Sequence, residues 1–295
     1  MRVFVTGATG FIGSAIVREL LGAGHQVLGM ARSDAGAQSV IDAGAEVHRG
    51  SLEDIESLRS GAAQADAVIH TAFIHDFSKF AANCETDKRA IEALGDALAG
   101  SSRTLIVTSG IGVLAPGRAA TEEHAAIFNP AMPRVSEQTG LAQVARGVNV
   151  LVVRLPQVHD TVKQGLISYT IRLAREKGVS AYIGDGHNRW AAAHVLDVAH
   201  LYRLALEKRE PGARYHAVAE EGVSTRQIAE VVGRGLKVPV VSLSVEEAPD
   251  HFGWFATPAG ADMPASSVQT REKLGWNPTG PSLVTDLENM RYSQD

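Results

Sequence analysis

Near the start of this chain an apolar run gives way to three glycines set three residues apart. Val3, Phe4 and Val5 suit a short buried strand. Gly7, Gly10 and Gly13 follow, and from Ser14 to Leu21 the apolar residues Ile16, Val17, Leu20 and Leu21 line one helical face. A strand that turns through glycines into a helix is the context in which this spacing makes a phosphate cradle. Gly7 allows the tight turn, Gly10 lets a pyrophosphate approach the backbone, and Gly13 lets the helix lie close to the strand, with Thr9, Phe11 and Ile12 completing the turn. The helix then offers free N–H groups and the positive end of its dipole. The expectation is a dinucleotide site opening a doubly wound parallel α/β sheet.

The chain's 295 residues, 45% of them hydrophobic, suffice for a large α/β domain with a smaller lobe. A net charge of −5 without a basic block argues against nucleic acid or an anionic membrane as partner. Cys84 is the only cysteine, which excludes an intrachain disulfide and a cysteine-based zinc site and suits a reducing compartment. No apolar run is long enough to span a bilayer. The first run breaks at glycines and then meets Arg18 and Glu19, unlike a signal peptide. A soluble, cytoplasmic protein that binds no metal is expected.

Short apolar runs alternate with helical stretches through the first half, and seven strands are expected within about 155 residues. Such alternation predicts right-handed crossovers and a sheet covered on both faces. Beyond Pro156 the rhythm changes. Ser224 and Gln227 read as a capping box ahead of a helix at Ile228–Leu236, and Pro249–Pro264 as an irregular, aromatic-rich segment. The expected division is a dinucleotide-binding domain at 1–158 and a substrate lobe at 159–295, with interleaving allowed. Where NAD sites usually carry an acid at the end of the second strand, this chain has Ala31, then Arg32 and Ser33. A guanidinium and a hydroxyl there favour the 2′-phosphate of NADP(H); the alternative is a solvated loop arginine.

These residues resemble the short-chain dehydrogenase/reductase superfamily, in its extended or atypical NAD-dependent epimerase/dehydratase branch. GATGFIG at Gly7–Gly13 looks like that branch's coenzyme motif. Gly50–Asp54, with Ser51 and Leu52, resembles its adenine-side G-D-L-x-D segment, Ser51 replacing the usual acid. Asp66–Phe73 resembles D-x-V-x-H-x-A-A, which implies that Thr71, Ala72 and Phe73 lie against the coenzyme. Arg154-Leu155-Pro156 resembles the R-x-P beside the nicotinamide, Trp190–Ala199 the V-H-V-x-D-V-A of the second lobe, and Leu274–Pro278 the C-terminal L-G-W-x-P. The resemblance implies a Ser and a Y-x-x-x-K dyad, and dimerisation through the helices at Asp87–Ala99 and Val135–Ala145. Ser109 stands where the Ser is expected. The dyad is absent: no tyrosine has a lysine four residues later, and counting back from Arg154 puts Asn129 and Pro133 at its positions.

A substitute acid is therefore sought. His159 follows the sixth strand, where loops reach the nicotinamide, and titrates near neutrality, although a solvated loop histidine fits equally. His194 and Asp197 fit a helix-start Asp with a packed His better than a catalytic pair. His70 reads as a buried ring bonded to backbone, and His70, His75 and Asp76 lack a completing metal ligand. Arg189 and Trp190 suit either an anionic or planar substrate or an arginine–aromatic stack. His251–Phe255 suits a lobe core or an apolar pocket wall. The predicted function is an NADP(H)-dependent oxidoreductase acting on a small carbonyl or alcohol, with Ser109 orienting the oxygen and His159 as proton donor. The alternatives are a non-catalytic NADP-binding regulator and an epimerase or dehydratase with tightly held NAD.

Overall fold

The computed structural model describes residues 1–112, 114–127 and 133–292. Along the first half, β1 (Arg2–Thr6), α1 (Phe11–Gly22), β2 (Gln26–Ala31), α2 (Asp34–Asp42), β3 (Glu46–Arg49), α3 (Ile55–Ala63), β4 (Ala67–His70), α4 (Phe80–Leu98), β5 (Thr104–Gly110), α5 (Ser136–Ala142) and β6 (Asn149–Leu155) alternate. The second half adds β7 (Gln157–His159), α6 (Ile167–Lys177), β8 (Ser180–Ile183), β9 (Arg189–His194), α7 (Val195–Lys208), β10 (Arg214–His216), β11 (Glu220–Ser224), α8 (Thr225–Leu236) and β12 (Val240–Leu243). Short helices α9 (Ala248–Phe252), α10 (Ala256–Gly260), α11 (Val268–Leu274) and α12 (Leu283–Asn289) complete it.

The main sheet has seven strands in the order β10-β6-β5-β4-β1-β2-β3, all parallel. Its central strands are apolar nearly throughout because both faces are covered. On one face Val3, Val5, Ile69 and Ile106 pack against Ile16 and Leu20 of α1 and Leu201 and Tyr202 of α7. On the other, Phe4, Val68, Leu105 and Val107 pack against Leu58 of α3 and Ile91 and Leu94 of α4. Strand order reverses between β1 and β4, which opens a crevice at their carboxyl ends. This is the doubly wound, Rossmann-type architecture that the alternation predicts.

Three expectations need correction. Only six strands of the sheet lie in the first 155 residues; the seventh, β10, pairs with β6 from residues 214–216. The second half thus interleaves with the first, an arrangement the expected division at residue 158 left open, and α7 also packs on α1. Helix α4 starts at Phe80 rather than Asp87, because its polar residues Asn83, Thr86 and Asp87 are buried with hydrogen-bond partners. Within the supposedly irregular Pro249–Pro264, α9 and α10 form.

The remaining strands make a three-stranded sheet, β11-β9-β7, and a parallel pair, β12-β8. Around them Ile167, Ile171, Trp190, Ile228, Val232, Phe252, Phe255 and Leu283 form a separate core. The Ser224 hydroxyl accepts the Gln227 N–H and starts α8. Among the described residues no helix is long and apolar enough to cross a membrane.

Candidate coenzyme and substrate crevice

Because the main strands are parallel, their carboxyl ends share one edge, and the expected coenzyme residues gather there. Gly7–Gly13 follows β1, Arg32 and Ser33 follow β2, Ser51 and Leu52 follow β3, and Thr71, Ala72 and Phe73 follow β4; Ser109 is the last residue but one of β5 and Pro156 follows β6. Gly7 has φ +72°, and its N-terminal turn closes through a 2.8 Å bond from the Gly10 N–H to the Gly7 carbonyl. A Cβ on Gly13 would stand 2.0 Å from the Gly7 carbonyl oxygen. Gly10 caps α1 without any side-chain hydrogen bond, so no side chain occupies the first N–H groups of the helix. That uncapped end, reached over bare glycine backbone, fits a dinucleotide pyrophosphate.

At the adenosine end, Ala31 is buried and Arg32 exposed. The Ser33 hydroxyl accepts the Gly36 N–H and caps α2. Arg49, which the sequence reading missed, donates to the Ser33 carbonyl at 2.6 Å and also pairs with Asp34. Two guanidinium groups thus border the loop after β2, and the one carboxylate there is already paired. Leu52 is buried, and the Ser51 carbonyl accepts from the Ser57 hydroxyl.

Ser109 is partly exposed at the end of β5, and its neighbour Thr108 shares a 2.7 Å hydrogen bond with the buried Tyr202 hydroxyl. Burial pushes the Tyr202 phenol far up, so it stays protonated. Asn129, counted to the tyrosine position, lies outside the described residues. Beyond it Arg134 donates to the Thr108 carbonyl at 3.3 Å and to the Ser136 hydroxyl at 2.8 Å, with its guanidinium 4.3 Å from the Phe73 ring centre. Ser136 in turn donates to Asp87. The other Asp87 oxygen is 3.1 Å from His70 Nε2, and His70 Nδ1 is 2.9 Å from the Thr6 hydroxyl. His70 is buried as expected, but its partners are side chains, not backbone. Burial would raise the Asp87 carboxyl, yet hydrogen bonds from His70 and Ser136 and the charge of Arg134 hold it below its ordinary value. Asp76 caps the turn at Phe77–Lys79, and His75 packs edge-on against Phe73. Among the described residues no group of three or more His, Cys, Asp or Glu side chains could hold a metal.

Arg154 has no exposed surface. It grips Glu137 through two bonds of 2.7 and 2.6 Å, donates to the His124 carbonyl at 2.7 Å, and lies 3.0 Å from His216 Nε2. Arginine has no lone pair to offer, so His216 accepts there and its Nδ1–H donates to the Ser266 carbonyl. Burial, partly offset by Glu122 and reinforced by Arg154, pushes His216 down to about 4. A histidine lowered on folding stabilises fully above its unfolded value, and that contribution fades as pH falls toward the folded one. Urea unfolding is expected to show stability declining between about pH 6.5 and pH 4, by roughly 3 kcal/mol from this group, with a shallower decline in His216→Gln. An unchanged slope in that variant would remove His216 as the cause.

The other candidates separate. The structure does not bring His159 to the crevice mouth: its ring is fully buried, with Nδ1 2.7 Å from Asp286 of α12 and Nε2 without a hydrogen-bond partner among the described residues, 3.9 Å from Glu220. Pairing of β7 with β9 draws it under the second lobe, so no substrate oxygen reaches it there. Burial pushes its pKa down, although Asp286 and Glu220 oppose this. His194 rather than Asp197 caps α7, its Nδ1 accepting the Leu196 N–H. Asp197 instead accepts the N–H groups of Thr279 and Gly280, tying down the segment after Leu274–Pro278. Arg189 binds Asp262 with its side chain still 43% exposed, and Trp190 is buried and donates to the Ala261 carbonyl. In His251–Phe255, Phe252 and Phe255 are core, while Trp254 is half exposed and stacks on Phe77, 4.5 Å between ring centres. Phe77 also stacks on Phe80, which neighbours Phe73. An aromatic wall therefore joins the β4 end to the second lobe.

A model of the NAD-dependent epimerase/dehydratase family matches residues 3–105. An uncharacterized protein of Schizosaccharomyces pombe is 47% identical over 294 residues, covering 99% of this chain and 100% of its own length. One of Saccharomyces cerevisiae is 42% identical over 291 residues, 97% of this chain and 98% of its own. Among solved structures, the dTDP-glucose 4,6-dehydratase DesIV of Streptomyces venezuelae, with NAD and TYD bound, superposes with a TM-score of 0.78 at 20% identity, over 99% of this chain and 96% of that one. That likeness shows a shared fold. The family-model match and the two relatives that run end to end with this chain lead to one conclusion: the chain belongs to the NAD-dependent epimerase/dehydratase family.

Proposed function

We propose that this protein is an NADP(H)-dependent oxidoreductase that reduces a small carbonyl compound or oxidises the matching alcohol. The observation that carries the reading is the uncapped α1 terminus sharing one sheet edge with Ser109. The Gly7–Gly13 backbone would hold the pyrophosphate, Thr71–Phe73 and Pro156 the nicotinamide half, and Ser51 and Leu52 the adenine side. Arg32, with Arg49 behind Ser33, favours the extra phosphate of NADP(H). When bound, the coenzyme supplies or accepts a hydride. Ser109 donates to the substrate oxygen. The aromatic wall of Phe73, Phe77 and Trp254 suits an apolar substituent, since such pockets are mostly apolar with few polar groups.

Purified protein with NADPH or NADH and a panel of aldehydes and ketones is expected to consume the reduced coenzyme, faster with NADPH. Arg32→Ala is expected to cut the NADPH preference about tenfold, and Ser109→Ala to lower kcat about 10²-fold. No turnover across the panel, with tight NADPH binding, would instead favour a regulator that senses the coenzyme. That second reading is supported by the burial of both Tyr202 and His159, which leaves no acid of the usual kind at the edge among the described residues. NAD that stays bound through purification would favour an epimerase or dehydratase.

A further inference from the structure

We infer that Arg134 and Ser109 form a cationic site that holds the substrate oxygen, in place of the missing tyrosine–lysine pair. This rests on the carbonyl-reductase reading, and it concerns residues that neither the sequence motifs nor the family likeness assigned together. The first argument is sidedness. Side chains alternate along a strand. In β5, Leu105 and Val107 pack with Ile91 and Leu94 of α4, whereas Ile106 packs with α7 and Thr108 bonds Tyr202 of α7. Ser109 therefore points to the α4–α5 side. Arg134 stands on that side, bonded to Ser136 of α5 and to the carbonyl of the residue before Ser109.

The second argument is charge. The hydrogen bonds of Arg134 to other described residues go to a hydroxyl and a carbonyl, not to a carboxylate. Its charge is felt around it, helping burial to push His75 down and offsetting part of the effect of burial on Tyr202. The third is preorganisation. Ser136, Asp87, His70 and Thr6 form a buried hydrogen-bonded chain from the guanidinium back to the end of β1. That chain fixes the Arg134 side chain before any substrate arrives, which is the condition for a charged group to stabilise developing charge well. Phe73 supports its other face at 4.3 Å.

In reduction, the carbonyl carbon takes a hydride from the reduced nicotinamide, the C=O π pair moves onto oxygen, and water protonates that oxygen. The carbonyl is reduced and the nicotinamide oxidised. Arg134 and Ser109 hold the oxygen while it is negative. Arginine keeps its proton, so the site stabilises the anion and water closes the step. Ser136 and Asp87 act as positioning residues through Arg134.

The test uses benzoate as a stable carboxylate probe, titrated calorimetrically into protein saturated with NADP⁺ or NAD⁺. Arg134→Met is expected to weaken benzoate binding at least about thirtyfold and to lower kcat about 10²-fold, with coenzyme affinity unchanged within about twofold. Arg134→Lys should recover part of both losses, and added guanidinium ion at low millimolar concentration should partly rescue Arg134→Met but not wild type. Ser136→Ala should produce a smaller loss of the same kind. Benzoate binding that survives Arg134→Met, or coenzyme affinity lost along with it, would overturn the proposal, as would no benzoate binding by the wild type. Arg134-dependent benzoate binding without turnover of any carbonyl would support the anion site and sink the reductase reading. Turnover indifferent to Arg134 would do the reverse.

Discussion

Glu137→Ala is expected to lower the unfolding free energy by about 3–5 kcal/mol, the cost of stranding a buried charge. Glu137 is 2% exposed and accepts three charge-assisted bonds, two from Arg154 and one from Arg214 at 2.9 Å. Its removal leaves the Arg154 guanidinium, with no exposed surface, facing only His216 and the His124 carbonyl. Neither carries a compensating negative charge. Glu137→Gln keeps one acceptor and the volume, so it should cost less. Arg154→Met with Glu137→Leu removes both charges and is expected to cost less than Glu137→Ala alone, because the penalty belongs to the unpaired ion. Urea unfolding of the four proteins orders them. A double variant less stable than Glu137→Ala would show that the pair stabilises the fold beyond cancelling its own desolvation. The effect should reach the crevice too: Arg154 holds the segment carrying His124, and Glu122 of that segment accepts from Thr270 of α11, so losing the anchor loosens the second lobe against the sheet.

The sheet edge was legible because its signals are local. A strand, a glycine turn and an amphipathic helix are neighbours in sequence, so Gly7–Gly13 could be located from spacing; Thr71–Phe73 and Ser109 came from the family resemblance, and parallel topology then places every strand's end together. What spacing could not show is contact across long separations. Asp87 meets His70 and Ser136, and Arg134 reaches Thr108, only after α4 and α5 have packed; in sequence these are ordinary polar residues on helices or beside Pro133. β10 was missed for the same reason: Arg214–His216 is too short for a periodic pattern, and it is a strand because the exposed edge of β6 awaits a partner. His159 shows the opposite failure. Its position after β6 was read correctly, but one further β pairing with β9 turned its ring inward, and nothing local in Gln157–His159 reveals which sheet it joins.

Gly13→Ala is expected to weaken NADPH binding by about 10²-fold or more, equivalent to roughly 3 kcal/mol, and to destabilise the free protein by about 1–3 kcal/mol through overpacking. The added methyl would sit 2.0 Å from the Gly7 carbonyl oxygen and 2.7 Å from its carbon, so backbone must move, and no flexible side chain can give way instead. Separating α1 from the turn breaks the geometry in which the Gly10 N–H meets the Gly7 carbonyl at 2.8 Å, and with it the aim of the first helical N–H groups. Gly7→Ala fails differently, since φ +72° strains any side chain and the methyl would stand 2.8 Å from the Ala72 nitrogen. At Gly10 the methyl would stand 3.2 Å from the Gly7 oxygen, close but not impossible, and φ is an ordinary −78°. Gly10→Ala should therefore spare stability while still costing affinity, because the methyl occupies the approach of the pyrophosphate. Thermal unfolding without coenzyme, paired with NADPH titration, separates the two effects. The cradle reading requires Gly13→Ala to lose both and Gly10→Ala to lose mainly binding. Affinity kept in Gly13→Ala would mean that the coenzyme does not use the α1 terminus.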